Sequence, residues 1–279
     1  VIRDAEEVQI MISNIKVITS SREGFWVTST LIEGKRDTIL IDAQLTLSDA
    51  RRLADAISES KKNLTMVYIT HFHPDHYFGL TVLKEAFPNA KLVALPSTVS
   101  DIKKSWESKV NQWKPVYGEN IPLKPVIPEP LRTAILTLEG ELIEIVGEVQ
   151  GDARNNSFVW IPSSSAVVCG DIAYNGVYPW TRETDALDRR EWSIALDRIA
   201  VFKPEIVVAG HKNPDMKDDI SCLRFTQNYL SAYDALLASS GNAEEFGTKV
   251  RKMFPGLGLE IILDLASDAA FPATKAKAA

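Results

Sequence analysis

Three of the four histidines in this 279-residue chain, His71, His73 and His76, fall within six positions, and Asp75 stands among them. A lone histidine is most often a surface residue or a hydrogen-bonded member of a core. Three imidazoles and a carboxylate behind one apolar run are a poor way to fill an interior. They are the donors zinc takes when a site must stay open to water. The spacing suits that use. In an extended loop His71 and His73 alternate with Phe72 and point the same way. Pro74 then fixes the backbone before a turn, and Asp75 and His76 fall in the first turn of a helix. Two adjacent groups of ligands predict two metal ions side by side.

Such side chains need elements to hold them. The run LTMVYIT, residues 64–70, has the length and β-branched content of a buried strand and ends in the histidine cluster. A helix is predicted from Asp75 through GLTVLKEAF to near Pro88, and KLVALP is a further strand. Upstream, VQIMISNIKVITS, FWVTSTLIEG and DTILIDA read as strands, and residues 47–60 as a helix. Downstream, LIEIV, SFVWIP, AVVCGD and EIVVAG read as strands. Helices are expected over residues 188–202, 222–237 and 243–254, with a frayed tail PATKAKAA. Between them, residues 99–131 change character. DIKKSWESKVNQW suits a helix, but Pro115, Pro122, Pro125, Pro128 and Pro130 argue against regular structure after it, so the segment reads as an insertion or lid. Two halves of strands followed by helices suggest two packed sheets with helices outside.

The stretch Thr70 to His76, THFHPDH, resembles the H-x-H-x-D-H signature of the metallo-β-lactamase-fold superfamily. The resemblance implies an α/β four-layer αββα sandwich, here a single domain over residues 1–279. It implies that Asp42 in LIDA supports the histidine loop, that Asp171 of Cys169-Gly170-Asp171 bridges both metals, and that His211 of Ala209-Gly210-His211 binds the second. One departure stands out. The family's Gly-His-Thr-x-Gly-Asp type segment supplies a further histidine to the first metal, and all four histidines here are already placed. Aligning the glycines and the Asp with Gly147-Glu148-Val149-Gln150-Gly151-Asp152 puts Glu148 in that role. A carboxylate still binds zinc at about 2.0–2.2 Å, and its hard oxygen shifts preference toward Mn²⁺ or Fe²⁺. The implied cofactors are two divalent ions, Zn²⁺ foremost, held by His71, His73, Glu148, Asp75, His76, Asp171 and His211.

The implied reaction is hydrolysis: hydroxide held between the metals attacks a carbonyl, with Asp75 orienting it or accepting its proton. Ser163, Ser164 and Ser165 lie in a turn and have no paired base. Phe72, Tyr178 and Trp180 are the aromatics expected to wall the pocket, which points to a small, partly apolar cyclic ester or cyclic amide, as in lactonases and β-lactamases. Thioesters and other esters, a mononuclear iron oxygenase and a metal-free binding module are the competing readings, and metal content separates them. A net charge of −6 and the lack of a basic run argue against nucleic acid or an anionic membrane as partner. No apolar stretch is long enough to span a bilayer. The two cysteines, Cys169 and Cys222, read as small buried apolar residues. Val1 in place of Met fits either a removed export signal or a shortened chain, so the reading is compatible with a cytoplasmic or an exported protein. Nothing in the sequence fixes an oligomeric state.

Overall fold

A computed structural model of the protein describes residues 14–272. Residues 8–13 of the first expected strand and nearly all of the tail expected to fray lie outside the described residues. The elements run β1 (Asn14–Thr19), β2 (Thr28–Glu33), β3 (Asp37–Ile41), α1 (Leu47–Glu59), β4 (Asn63–Ile69), α2 (Pro74–Tyr77), α3 (Leu80–Ala86), β5 (Lys91–Ala94), α4 (Pro96–Tyr117) and β6 (Glu129–Pro130). The second half continues with β7 (Ile135–Leu138), β8 (Glu141–Val149), β9 (Asn156–Ile161), β10 (Ala166–Val168), β11 (Tyr174–Asn175), α5 (Ala186–Val201), β12 (Ile206–Val208) and β13 (His211–Lys212). Helices α6 (Ser221–Ala238), α7 (Ala243–Met253) and α8 (Glu260–Ala270) close the described chain.

Strands β1 to β6 form one sheet in chain order, and β12-β10-β9-β8-β7 form a second. Alternation along the strands sets the layers. Ile39, Ile41, Tyr68, Val159, Ile161, Val168 and Val208 meet in one cluster between the sheets. Their neighbours Leu40, Val67, Ile69, Phe158, Val167 and Val207 turn to the opposite faces and join Leu53, Ile57, Trp192 and Ile199 from the helices. Apolar side chains on both faces of both sheets are what a four-layer αββα sandwich requires.

Two parallel pairings bring the chemistry together. β3 pairs β4 with Ile41 opposite Tyr68, so Asp42 and the loop from Thr70 emerge side by side. β10 pairs β12 with Val168 opposite Val208, so Gly170-Asp171 emerges beside Gly210-His211. Gly210 is obligatory there, because a Cβ on it would collide with Asp171 Oδ1 and the Gly170 backbone.

Two expectations change. The helix predicted from Asp75 to Pro88 is two short helices, α2 and α3. At the join, Gly79 N–H donates to Gln44 O at 2.9 Å, and a Cβ on Gly79 would run into Ala43 O. In the proline-rich segment, α4 runs for 22 residues and through Pro115. Pro115 falls in the last turn, where the lost N–H costs one hydrogen bond and no more of the helix has to form. Gly118, at φ 57°, ends it.

Candidate metal centre

Seven side chains converge where the C-terminal ends of the two sheets meet. His71, His73, Asp152 and Asp171 form one group of ligand atoms within 4.8 Å of one another, and Asp75, His76 and His211 form a second. Asp171 also reaches the second group: its Oδ1 is 3.1 Å from His76 Nε2 and its Oδ2 3.1 Å from His211 Nε2. Its Oδ2 is 3.8 Å from His71 Nε2 on the other side. His73 turns Nδ1 to Asp152 Oδ2 at 2.7 Å. His71 Nε2 is buried with no hydrogen-bond partner, and the buried His76 Nε2 and Asp171 Oδ1, though close to each other, are not aligned for a hydrogen bond. Orphaned donors and acceptors in such a place are costly unless something else takes them up. A set of imidazole nitrogens and carboxylate oxygens aimed at two common points fits divalent cations.

A second ring of contacts orients these groups. Asp42 Oδ2 is 2.8 Å from His76 Nδ1, and the same carboxylate accepts from the Thr70 amide and hydroxyl at 2.9 Å each. That is the supporting place expected for Asp42. Phe25 O lies 2.6 Å from His211 Nδ1. The Tyr174 hydroxyl donates to Asp171 Oδ2 at 2.7 Å, and its ring stacks on His211 at a centroid distance of 5.3 Å. Carboxylate or carbonyl partners behind ligand imidazoles fix ring orientation and raise basicity.

The electrostatics favour positive charge. Burial alone would lower every imidazole pKa. Around His73 and His211 the carboxylates outweigh it, Asp152 for the first and Asp171 for the second, and raise both to about 10. His76 is raised in the same way by Asp171 and Asp42. His71 goes down, by burial and by its neighbour His76. Burial lifts the Asp152 carboxyl to about 6 against the pull of His73.

Glu148 joins neither group. It is exposed on β8, and the carboxylates in the first group are Asp152 and Asp171. The cause is local. After β8 the chain turns tightly: Gly151 N–H donates to Ala153 O, Asp152 N–H donates to Asp171 O at 3.2 Å, and a Cβ on Gly151 would lie 3.0 Å from that same oxygen. The turn thus brings Gly151-Asp152, and not Gly147-Glu148, to the histidines. The signal was available, since Gly151-Asp152 directly precedes the strand that leads to β10.

Above the metal centre lies a pocket. Tyr178 and Trp180 line it, with Phe25, Leu45, Leu259 and Ile262, and helix α4 adds Lys109, Gln112 and Trp113. Phe72 is not in that wall. It is half-buried, with Lys109 Nζ 5.6 Å from its ring centroid. Glu183, unremarked in the sequence, sits 3.4 Å from His73 Nε2 and 3.0 Å from Lys109 Nζ. Cys169 and Cys222 are free and buried. Among the described residues no helix is long and apolar enough to cross a membrane.

With this geometry in place, the chain belongs to the metallo-beta-lactamase superfamily, whose family model matches residues 24–211. The uncharacterized protein YobT of Bacillus subtilis (strain 168) is 27% identical over 203 residues, 67% of this chain and 83% of that one. Among solved structures, a metallo-beta-lactamase family protein from Thermus thermophilus, TTHA1429, superposes with a TM-score of 0.65 at 19% identity, covering 92% of this chain and 91% of that one. A metallo-beta-lactamase from Pontibacter korlensis gives 0.59 at 19% identity over 78% of this chain and 94% of its own. At such identities the structural likeness speaks for the fold alone.

Proposed function

We propose that the protein hydrolyses a small, partly apolar cyclic ester or cyclic amide with two divalent cations, one at His71, His73, Asp152 and Asp171, the other at Asp75, His76, His211 and Asp171. The observation that carries this is Asp171, a single carboxylate within reach of both groups of ligands. Cations bound there supply Lewis acidity, which acidifies a water and polarises a carbonyl. The chain's own residues do the rest. Asp75 faces the pocket, with its Oδ2 3.3 Å from His211 Nε2. It orients the attacking water and takes its proton. Tyr174 holds Asp171 in one orientation through its hydroxyl. Tyr178 and Trp180 exclude water from the carbonyl's apolar substituent. Three carboxylates in the ligand set favour Mn²⁺ or Fe²⁺ more than an all-histidine first site would.

Elemental analysis of protein purified without chelator, paired with hydrolysis assays on γ-lactones and β-lactams, tests this reading. The expected result is two equivalents of zinc or manganese and activity lost to a chelator and restored by either ion. A single iron with oxygen consumption would move the protein to oxygenase chemistry, and no metal at all would sink the enzyme reading.

A further inference from the structure

We infer that the substrate is uncharged around its scissile carbonyl, and that the pocket selects against carboxylated substrates. This deepens the hydrolase reading and rests on it. Among the described residues lining the pocket, Lys109 is the single lysine or arginine. Its ammonium is already engaged, 3.0 Å from Glu183 Oε1, with the Phe72 ring on another side. A substrate carboxylate reaching for Lys109 would meet the Glu183 carboxylate beside it, so the pair presents no net positive charge.

The metal centre points the same way. Asp152 replaces a neutral imidazole in the family's ligand set, so the first group carries one more negative charge than three histidines would. Whatever cations it holds, its pull on an anion is weaker by that charge. The apolar part of the remaining wall is Phe25, Leu45, Trp113, Trp180, Leu259 and Ile262, and Gln112 and Tyr178 add neutral polar groups to it. A carboxylate placed against the apolar part of this wall would exchange water for carbon, and among the described lining residues it would find neutral donors but no lysine or arginine other than Lys109. An alkyl group placed there would be desolvated favourably.

The test uses the full chain loaded with zinc or manganese and two matched ester pairs. One pair is an alkyl γ-lactone and the same ring bearing a carboxylate. The other is p-nitrophenyl butyrate and mono-p-nitrophenyl succinate. The expected result is a kcat/KM ratio of about a hundredfold or more in favour of the neutral member, falling at least tenfold in Glu183→Gln, which frees Lys109. Rates within threefold for the two members would overturn the inference. A second readout does not need turnover. Trp113 and Trp180 line the pocket, so their fluorescence reports binding of unreactive alkyl and carboxylated γ-lactams, with the neutral lactam expected to bind at least tenfold more tightly. If no member of either pair is cleaved, the hydrolase reading fails. Equal or tighter binding of the carboxylated lactam then overturns the selectivity as well.

Discussion

Asp152 and Glu148 sit four positions apart in sequence and have opposite fates, and one substitution at each separates them. Asp152→Ala is expected to lower bound metal from two equivalents to about one and to cut activity by more than tenfold. Glu148→Ala, on the exposed face of β8, should leave both unchanged. Metal content of the two variants decides it, and the reverse result would restore Glu148 as the ligand. Asp42 acts one layer out, through His76 Nδ1 and Thr70. Asp42→Ala should weaken metal affinity roughly 10- to 100-fold, measured by competition with a chromogenic chelator. The histidine loop is legible in the sequence because its ligands are contiguous with the strand that delivers them. Asp152 is not legible in the same way, since two Gly-acid pairs compete for one role and only the turn after β8 chooses between them. Tyr174 and Glu183 reach the centre through stacking and a loop path that no local spacing encodes.

Helix α4 is the element whose part in the site exceeds what its sequence suggests. It contributes Lys109, Gln112 and Trp113 to the pocket and is pinned at its end by the Tyr117 hydroxyl, which donates to Glu23 O at 2.6 Å. Trp113 packs edge-on against Phe25 at 5.4 Å. Trp113→Ala removes wall area without touching a ligand. KM for an apolar substrate should rise about tenfold, in line with an aromatic face worth ~1.5 kcal/mol, while metal content stays at the wild-type value. Steady-state kinetics alongside elemental analysis reads both. A fall in metal content instead would mean that α4 shapes the centre itself. The proline count conceals this helix, because Pro115 lies where a helix tolerates it and the other four fall beyond Gly118. Helix α8, which supplies Ile262 to the same wall, also goes unread, since its short apolar stretch sits close to the tail.

Across the whole molecule the sheets bury groups that ionise only in alkali. Burial pushes the Cys222 thiol up to about 12 and Cys169 well above its ordinary value, and it raises Tyr174 and Tyr229 likewise. A thiol whose folded pKa is raised contributes stability that is intact below the unfolded value of about 8.5 and is lost as pH climbs from there toward the folded one. Stability by denaturant titration should therefore decline above roughly pH 9 and more steeply toward pH 12. At pH 8 a thiolate-selective reagent should find no cysteine in the native protein and two in guanidinium. One reactive thiol in the native state would contradict the burial. The layered architecture is legible in the sequence because strand alternation repeats in both halves. Less legible is how the halves close on each other: Thr28 Oγ1 donates to Ala209 O at 2.7 Å, Val27 bridges His211, and Phe25 O meets the imidazole of His211. The metal centre thus draws on residues from 42 to 211, and the hand that holds its last ligand is made near the start of the chain. During synthesis the ribosome releases the histidine loop long before its partner, so no nascent fragment short of residue 211 carries the complete set of candidate ligands.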